Sequence, residues 1–190
     1  MKDDGKNMKR KSIERFLLLS AIPYKDEKNV DRLSDAIWRA HRDVLTGRFH
    51  LPEYIKQSKD VLKELYKIIK DKSRMKEFLG SEVLISSLKK IFTIEFGAVQ
   101  KLVNMTLKYI IILNEYEKLS INLDESLCDC PLDSFILEKK LGIFDKKWTK
   151  INENEYKDIQ NIIKGRIKEK HGDDVGNILF DFENWGLPQK

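Results

Sequence analysis

The sequence predicts an all-α fold, a single-domain bundle of about seven helices around a central apolar helix. Apolar residues recur at helical spacing along most of the chain, and no segment alternates as a half-buried strand does. With only 4 Pro and 9 Gly in 190 residues, the chain lacks the turn residues of an all-β protein. No fixed repeat or long low-complexity linker divides the chain, so residues 1–190 are predicted to form one domain.

Seven apolar stripes predict the helices, over residues 30–44, 52–69, 83–92, 98–116, 134–140, 151–171 and 175–185. The alternative for the last segment is a tail that lies on the core. Asn29 is the predicted N-cap of the first helix, and Pro52 occupies the first position of the second. Asn152 and Glu155 form a capping-box pattern at the sixth helix, and Gly142 is predicted to end the fifth. The widest irregular stretch, residues 120–133, has a length at which loops are often functional or mobile.

Cysteine usage and apolar run lengths indicate the compartment. Cys128 and Cys130 are the only cysteines, which excludes a disulfide-stapled scaffold and favours two reduced thiols without a metal or another cofactor. The apolar runs at residues 16–22 and 109–113 are too short to span a bilayer. We therefore expect a cytoplasmic protein with no membrane partner.

Charge is distributed unevenly along the chain. The net charge is +5, but residues 1–80 carry +7 and residues 81–190 carry −2. Arginine and histidine side chains cluster with aromatic residues in the basic half, and such a set suits phosphates and stacked bases of DNA or RNA. The predicted nucleic-acid-binding residues here are Arg32, Arg39, His41, Arg42 and Arg48, with Trp38, Phe49 and Tyr54 interleaved. The alternative is a solvated helix face on which Asp31, Asp35 and Asp43 pair with these arginines.

The helix predicted at residues 98–116 is apolar around nearly its whole circumference, as central buried helices are. Its one polar stripe holds Lys101, Asn104 and Lys108, spaced i, i+3 and i+7. A lysine desolvated at the edge of such a helix can have a lowered pKa and act as a nucleophile or base. The favoured alternative is that the stripe is the one solvent-facing edge of the helix, with its lysines extended into water. Lys108 is also a predicted nucleic-acid-binding residue.

Two short motifs suggest catalysis. Gly97-Ala98-Val99-Gln100-Lys101 opens one apolar helix, and Cys130-Pro131-Leu132-Asp133 opens another. Over residues 94–135 this arrangement resembles the helix-hairpin-helix DNA glycosylases. The resemblance implies that Lys101 is the Schiff-base nucleophile on the sugar C1′ and that Asp133 is the assisting carboxylate. Asp133 is also in the position of a helix N-cap.

Two further function classes remain open. Arg166 and His171 have the Arg-x4-His spacing that resembles HEPN ribonucleases, in which the pair would cleave RNA without a metal. A protein-interaction module, such as an antitoxin or inhibitor, would instead need an exposed apolar patch above about 600 Å². Binding of nucleic acid through the basic half is the favoured prediction, and a lyase, an RNase and a protein-binding module are the alternatives.

Overall fold

A computed structural model describes residues 31–46, 51–117 and 121–184 of the chain. In this part the all-α prediction is confirmed, with no strand and an isolated bridge between Leu79 and Leu123. The helices are α1 (Arg32–Leu45), α2 (Pro52–Arg74), α3 (Ser81–Ile91), α4 (Phe96–Glu117), a π-helical segment (Phe135–Leu141), α5 (Glu153–His171) and α6 (Ile178–Asn184).

Helix α4 lies at the centre of the bundle. It packs against α1, against α3 and against a short 3-10 turn, Trp148–Lys150. Every described side chain from Gly97 to Leu113 is buried, as the apolar circumference predicts. By length and composition alone the stretch Phe96–Glu115 could cross a membrane, but 89% of its most apolar window is buried inside the protein. The other helices therefore cover α4 as they would a core helix.

Helix ends follow local capping chemistry. Asp31 caps α1 by accepting a hydrogen bond from the Leu33 backbone N–H at 3.2 Å, so the prediction of Asn29 as the cap was wrong. Asn29 itself lies outside the described residues. The capping box of α5 is confirmed, because the side chains of Asn152 and Glu155 each accept from the other residue's backbone N–H at 3.0 Å. Gly142 ends the π-helical segment in the left-handed conformation.

The irregular segment of residues 121–133 is held by carboxamide side chains. Gln100 donates to the Leu132 carbonyl at 2.7 Å and accepts from the Leu132 N–H at 3.1 Å. Gln160 pairs in the same two-way manner with Cys130, and Asn114 with Ile121. These bonds satisfy backbone groups that no helix or sheet serves, so the part of the loop that packs against α4 and α5 is tightly anchored.

Close packing at the start of α4 depends on a glycine. A Cβ placed on Gly97 would lie 2.1 Å from the backbone oxygen of Trp148, far inside van der Waals contact. The missing side chain lets the 3-10 turn of Trp148 lie directly against α4, which brings the buried Trp148 ring to the helix.

Substitution of Gly97 by Ala is expected to destabilise the protein by about 3 kcal/mol, because backbone must move to admit the methyl group. Gly165→Ala in α5 is the matched control. Nothing lies within 4 Å of a Cβ there, so we expect a gain of about 0.5–1 kcal/mol from helix propensity. Urea unfolding followed by circular dichroism measures both values, and equal stabilities of the two variants would contradict the close approach.

Candidate functional site

The polar stripe of α4 is buried rather than solvent-facing. Lys101, Asn104 and Lys108 are all buried, so the expectation of an exposed helix edge was wrong. Each lysine has a carboxylate partner from the second half of the chain, Asp133 for Lys101 and Asp181 for Lys108. The stripe is therefore an internal charge cluster of two lysines and two aspartates.

Lys101 and Asp133 lie together, as the glycosylase resemblance requires. Their Nζ and Oδ2 atoms are 3.8 Å apart, and the Lys101 ammonium lies 4.6 Å from the centre of the Trp148 ring. The Lys101 side chain is 9% exposed and that of Asp133 is 35% exposed. The other carboxylate oxygen of Asp133 accepts from the Ile136 N–H at 3.0 Å, which is the helix-capping role. Asp133 therefore contacts both the Lys101 ammonium and the Ile136 backbone N–H, and Lys101 is nearly fully buried.

Lys108 and Asp181 form a fully buried ion pair in direct hydrogen bond contact. Burial raises the pKa of Asp181, while the charge and the hydrogen bond of Lys108 act in the opposite direction. The nearby charges of Asp133 and Lys101 also act on this carboxyl group. Since Lys108 is 0% exposed, it is not placed to contact a nucleic acid on the surface.

A second polar network, which sequence reasoning missed, starts at Asn104. Its amide donates to the Tyr156 hydroxyl at 2.8 Å, and that hydroxyl donates to Asp129 at 2.8 Å. Burial raises the pKa of Asp129, the hydrogen bond from Tyr156 partly offsets this, and the charge of Glu82 adds to it. The sequence shows Tyr156 next to the capping box and Asp129 between the two cysteines. Neither position indicates that these side chains, 27 residues apart, form a hydrogen bond.

Two of the four arginines predicted to bind nucleic acid are paired with side chains of the protein itself. Arg32 bonds Asp35 at 3.1 Å, and Arg39 contacts Asp43 at 3.6 Å and donates to the Tyr109 hydroxyl at 3.3 Å. The side chain of Arg42 is exposed. The alternative of intrahelical pairing with aspartates therefore describes most of this helix.

His41 and Arg48 are the other two residues of this segment that were predicted to bind nucleic acid. His41 is buried, its Nδ1 lies 2.7 Å from the Tyr54 hydroxyl, and its ring stacks on Trp38 at 5.0 Å between centroids. Burial lowers the pKa of His41, so the ring is neutral at pH 7 and offers no charge to a phosphate. Arg48 lies outside the described residues.

Helix α2 carries a continuous basic face that the sequence prediction did not identify. Its six members are spaced i, i+3, i+7, i+11, i+14 and i+18, and they are Lys56, Lys59, Lys63, Lys67, Lys70 and Arg74. At 100° per residue this face is diametrically opposite the buried residues of the same helix, Tyr54, Val61, Leu65 and Ile69. Five of the six are exposed, and Lys70 is half-buried beside Tyr66.

Most of this basic face is not neutralised by neighbours. Lys67 and Arg74 have loose contacts with Glu64 and Asp71 at 3.8 and 3.9 Å. Lys56, Lys59 and Lys63 have no ion pair with any residue in the described ranges. The first half of α2 therefore presents three adjacent positive charges to solvent.

The remaining candidates are the proposed RNase pair, Arg166 and His171, and the two cysteines. Arg166 donates to the Lys140 carbonyl at 2.8 Å, whereas His171 contacts Glu183 at 2.8 Å, so the structure does not bring this pair together. Cys128 and Cys130 are buried free thiols, and burial raises the pKa of Cys130. Among residues 31–46, 51–117 and 121–184, no group of three or more His, Cys, Asp or Glu side chains could hold a metal ion.

Comparisons with protein-family models, with curated proteins and with solved structures gave no significant match.

Substitution of Lys108 by Met should cost about 3–5 kcal/mol at pH 7.5, because it leaves the Asp181 carboxylate buried without its cation. Without that cation the folded-state pKa of Asp181 rises further above the unfolded value. The folded state then binds more protons than the unfolded state, so the stability of this variant falls as pH rises from the unfolded pKa of about 4 towards the raised folded value.

Lys101→Met is the matched control for Lys108→Met, with a cost smaller by about 2 kcal/mol, since its partner Asp133 keeps part of its hydration. Denaturant unfolding of both variants at several pH values gives the comparison. Equal costs, or a Lys108→Met variant that is more stable at pH 8 than at pH 5, would contradict the buried pair.

Proposed function

We propose that the protein binds the phosphate backbone of nucleic acid through the basic face of α2. The observation that supports this function is the alignment of six basic side chains on the outward side of one helix, four of them without an ion pair within the described residues. This proposal keeps the predicted role of the basic N-terminal half and moves the contact surface from Arg32–Arg48 to α2.

The dimensions of the basic face suit a duplex. With a rise of 1.5 Å per residue, Lys56 and Arg74 lie about 27 Å apart along the helix axis. Successive phosphates of one strand advance about 3.4 Å along the duplex axis, so several phosphates fall within this length. Lysines act on phosphates as mobile point charges, which favours binding that does not depend on sequence.

The lyase alternative is supported by one observation, the proximity of Lys101 and Asp133. A Schiff base requires the Lys101 amine to reach a sugar carbon, yet Trp148 and Asp133 cover it. The RNase alternative has separate partners for Arg166 and His171. A protein-binding module stays a prediction, and the most exposed large apolar side chains among the described residues are Trp38, Met75, Phe78 and Phe144.

Simultaneous replacement of Lys56, Lys59 and Lys63 by Gln is expected to weaken binding to a 20-base-pair duplex by about 10- to 100-fold at low salt. The slope of log affinity against log salt should also become shallower by about 3, because three phosphate contacts are lost. Fluorescence anisotropy at several salt concentrations measures both quantities.

The control for the lysine triple is Lys139, Lys147 and Lys150 replaced by Gln. These exposed lysines lie in the other half of the chain, and the change in net charge is the same. We expect affinity within about threefold of the unmodified protein. If both triples lose affinity equally, net charge rather than the α2 face governs binding, and if the unmodified protein does not bind at all, the proposal fails.

Borohydride trapping on abasic DNA tests the enzymatic alternative. We expect no covalent adduct, because the Lys101 ammonium is paired with Asp133 and nearly covered. The lyase alternative would be established if an adduct forms and Lys101→Ala abolishes it while retaining the circular dichroism spectrum.

A further inference from the structure

A groove between α3 and α5, open to solvent on one side, has a volume of about 410 Å³. This volume lies within the range of about 300–1,000 Å³ typical of small-molecule sites. Its apolar lining comes from Ile85 on α3, Val175 before α6 and two rings, Phe96 and Tyr156. The two rings meet edge to face with centroids 5.4 Å apart, so the groove offers an aromatic surface on one side.

Asp129 supplies the main polar group of the groove. One of its carboxylate oxygens accepts from the Tyr156 hydroxyl at 2.8 Å. The other is approached in the described part of the chain by the Asn177 amide alone, at 3.5 Å. Glu82 lines the same groove and its charge acts on Asp129. A partly buried carboxylate with unused acceptor capacity therefore faces space that a ligand could fill.

Three lysines line the groove, and two of them bond to groups other than Asp129. Lys157 is paired with Glu153 at 2.7 Å, and Lys89 donates to the Ile94 carbonyl at 2.6 Å. Lys164 has no ion pair within the described residues, and its charge acts on Asp129 across the groove. It is therefore the internal competitor for that carboxylate.

We propose that this groove binds a small organic cation, with an ammonium group at Asp129 and Glu82 and an apolar body against Phe96, Tyr156 and Ile85. Carboxylates together with aromatic faces are the combination that attracts an alkylammonium ion. The lining carries four carboxylates against three lysines, a balance that disfavours an anion, and the apolar walls disfavour a fully hydrated ion. This site is independent of the basic face of α2 and does not rest on nucleic-acid binding.

Two probes of equal shape test the charge requirement. Phenethylamine carries an ammonium group, and 2-phenylethanol has a similar body with a hydroxyl in its place. Isothermal titration of the full chain should give saturable binding of phenethylamine at least about tenfold tighter than that of 2-phenylethanol. Equal affinities, or no saturable binding of phenethylamine, would overturn the proposal.

Matched variants locate the binding to the groove. Asp129→Asn removes the charge and should weaken phenethylamine binding by about tenfold or more, whereas Lys164→Gln removes the competing cation and should tighten it. Asp173→Asn is the control, because Asp173 lines the same groove but is paired with Lys168 at 2.7 Å. An Asp129→Asn protein that binds as tightly as Asp173→Asn would refute the assignment.

A steric variant decides the question if Asp129→Asn fails to fold. Ser86 is an exposed residue of α3 on the groove wall, and Lys90 is an exposed residue of the same helix outside the groove. Ser86→Trp should abolish phenethylamine binding, while Lys90→Trp should leave it within about twofold. Binding that survives Ser86→Trp places the ligand elsewhere and overturns the proposal.

Discussion

The structure depends on carboxamide side chains that hydrogen-bond to the backbone of a buried loop, as a neighbouring strand would. Backbone N–H and C=O groups must be hydrogen-bonded when they are buried, and a loop has no ladder to satisfy them. Gln100, Asn114 and Gln160 each offer one donor and one acceptor to the same residue of the loop, as a paired strand would. Because of these three pairs, a long loop can pack against α4 and bring Asp129 and Asp133 to their partners.

The helices were predictable from sequence because their apolar spacing is strong. The capping box of α5 and the glycine at the end of the π-helical segment were also visible, since both act through neighbouring residues. The first cap was misplaced by two residues, because Asn29 and Asp31 have equivalent capping chemistry and the apolar pattern cannot choose between them. Helix boundaries depend on such local competition.

The sites were less predictable because they depend on contacts between distant residues. Spacing correctly placed Lys101, Asn104 and Lys108 on one face, but could not say whether that face met solvent or a carboxylate such as Asp181. In the same way, the arginines of α1 were visible as a cluster, whereas their pairing with aspartates on the same helix decides how much charge remains. Burial and ion pairing depend on the tertiary structure. A single sequence indicates only which residues share a helix face.

The amide-bonded loop has a consequence for local dynamics. The backbone N–H groups of Ile121, Cys130 and Leu132 belong to no helix or sheet, yet each is bonded to an anchored side chain. Their exchange with solvent deuterium therefore requires that the contacts between the loop and α4 or α5 open. These amides report on separation of the loop from α4 and α5, and they should exchange on the slow timescale of the core although they belong to no helix or sheet.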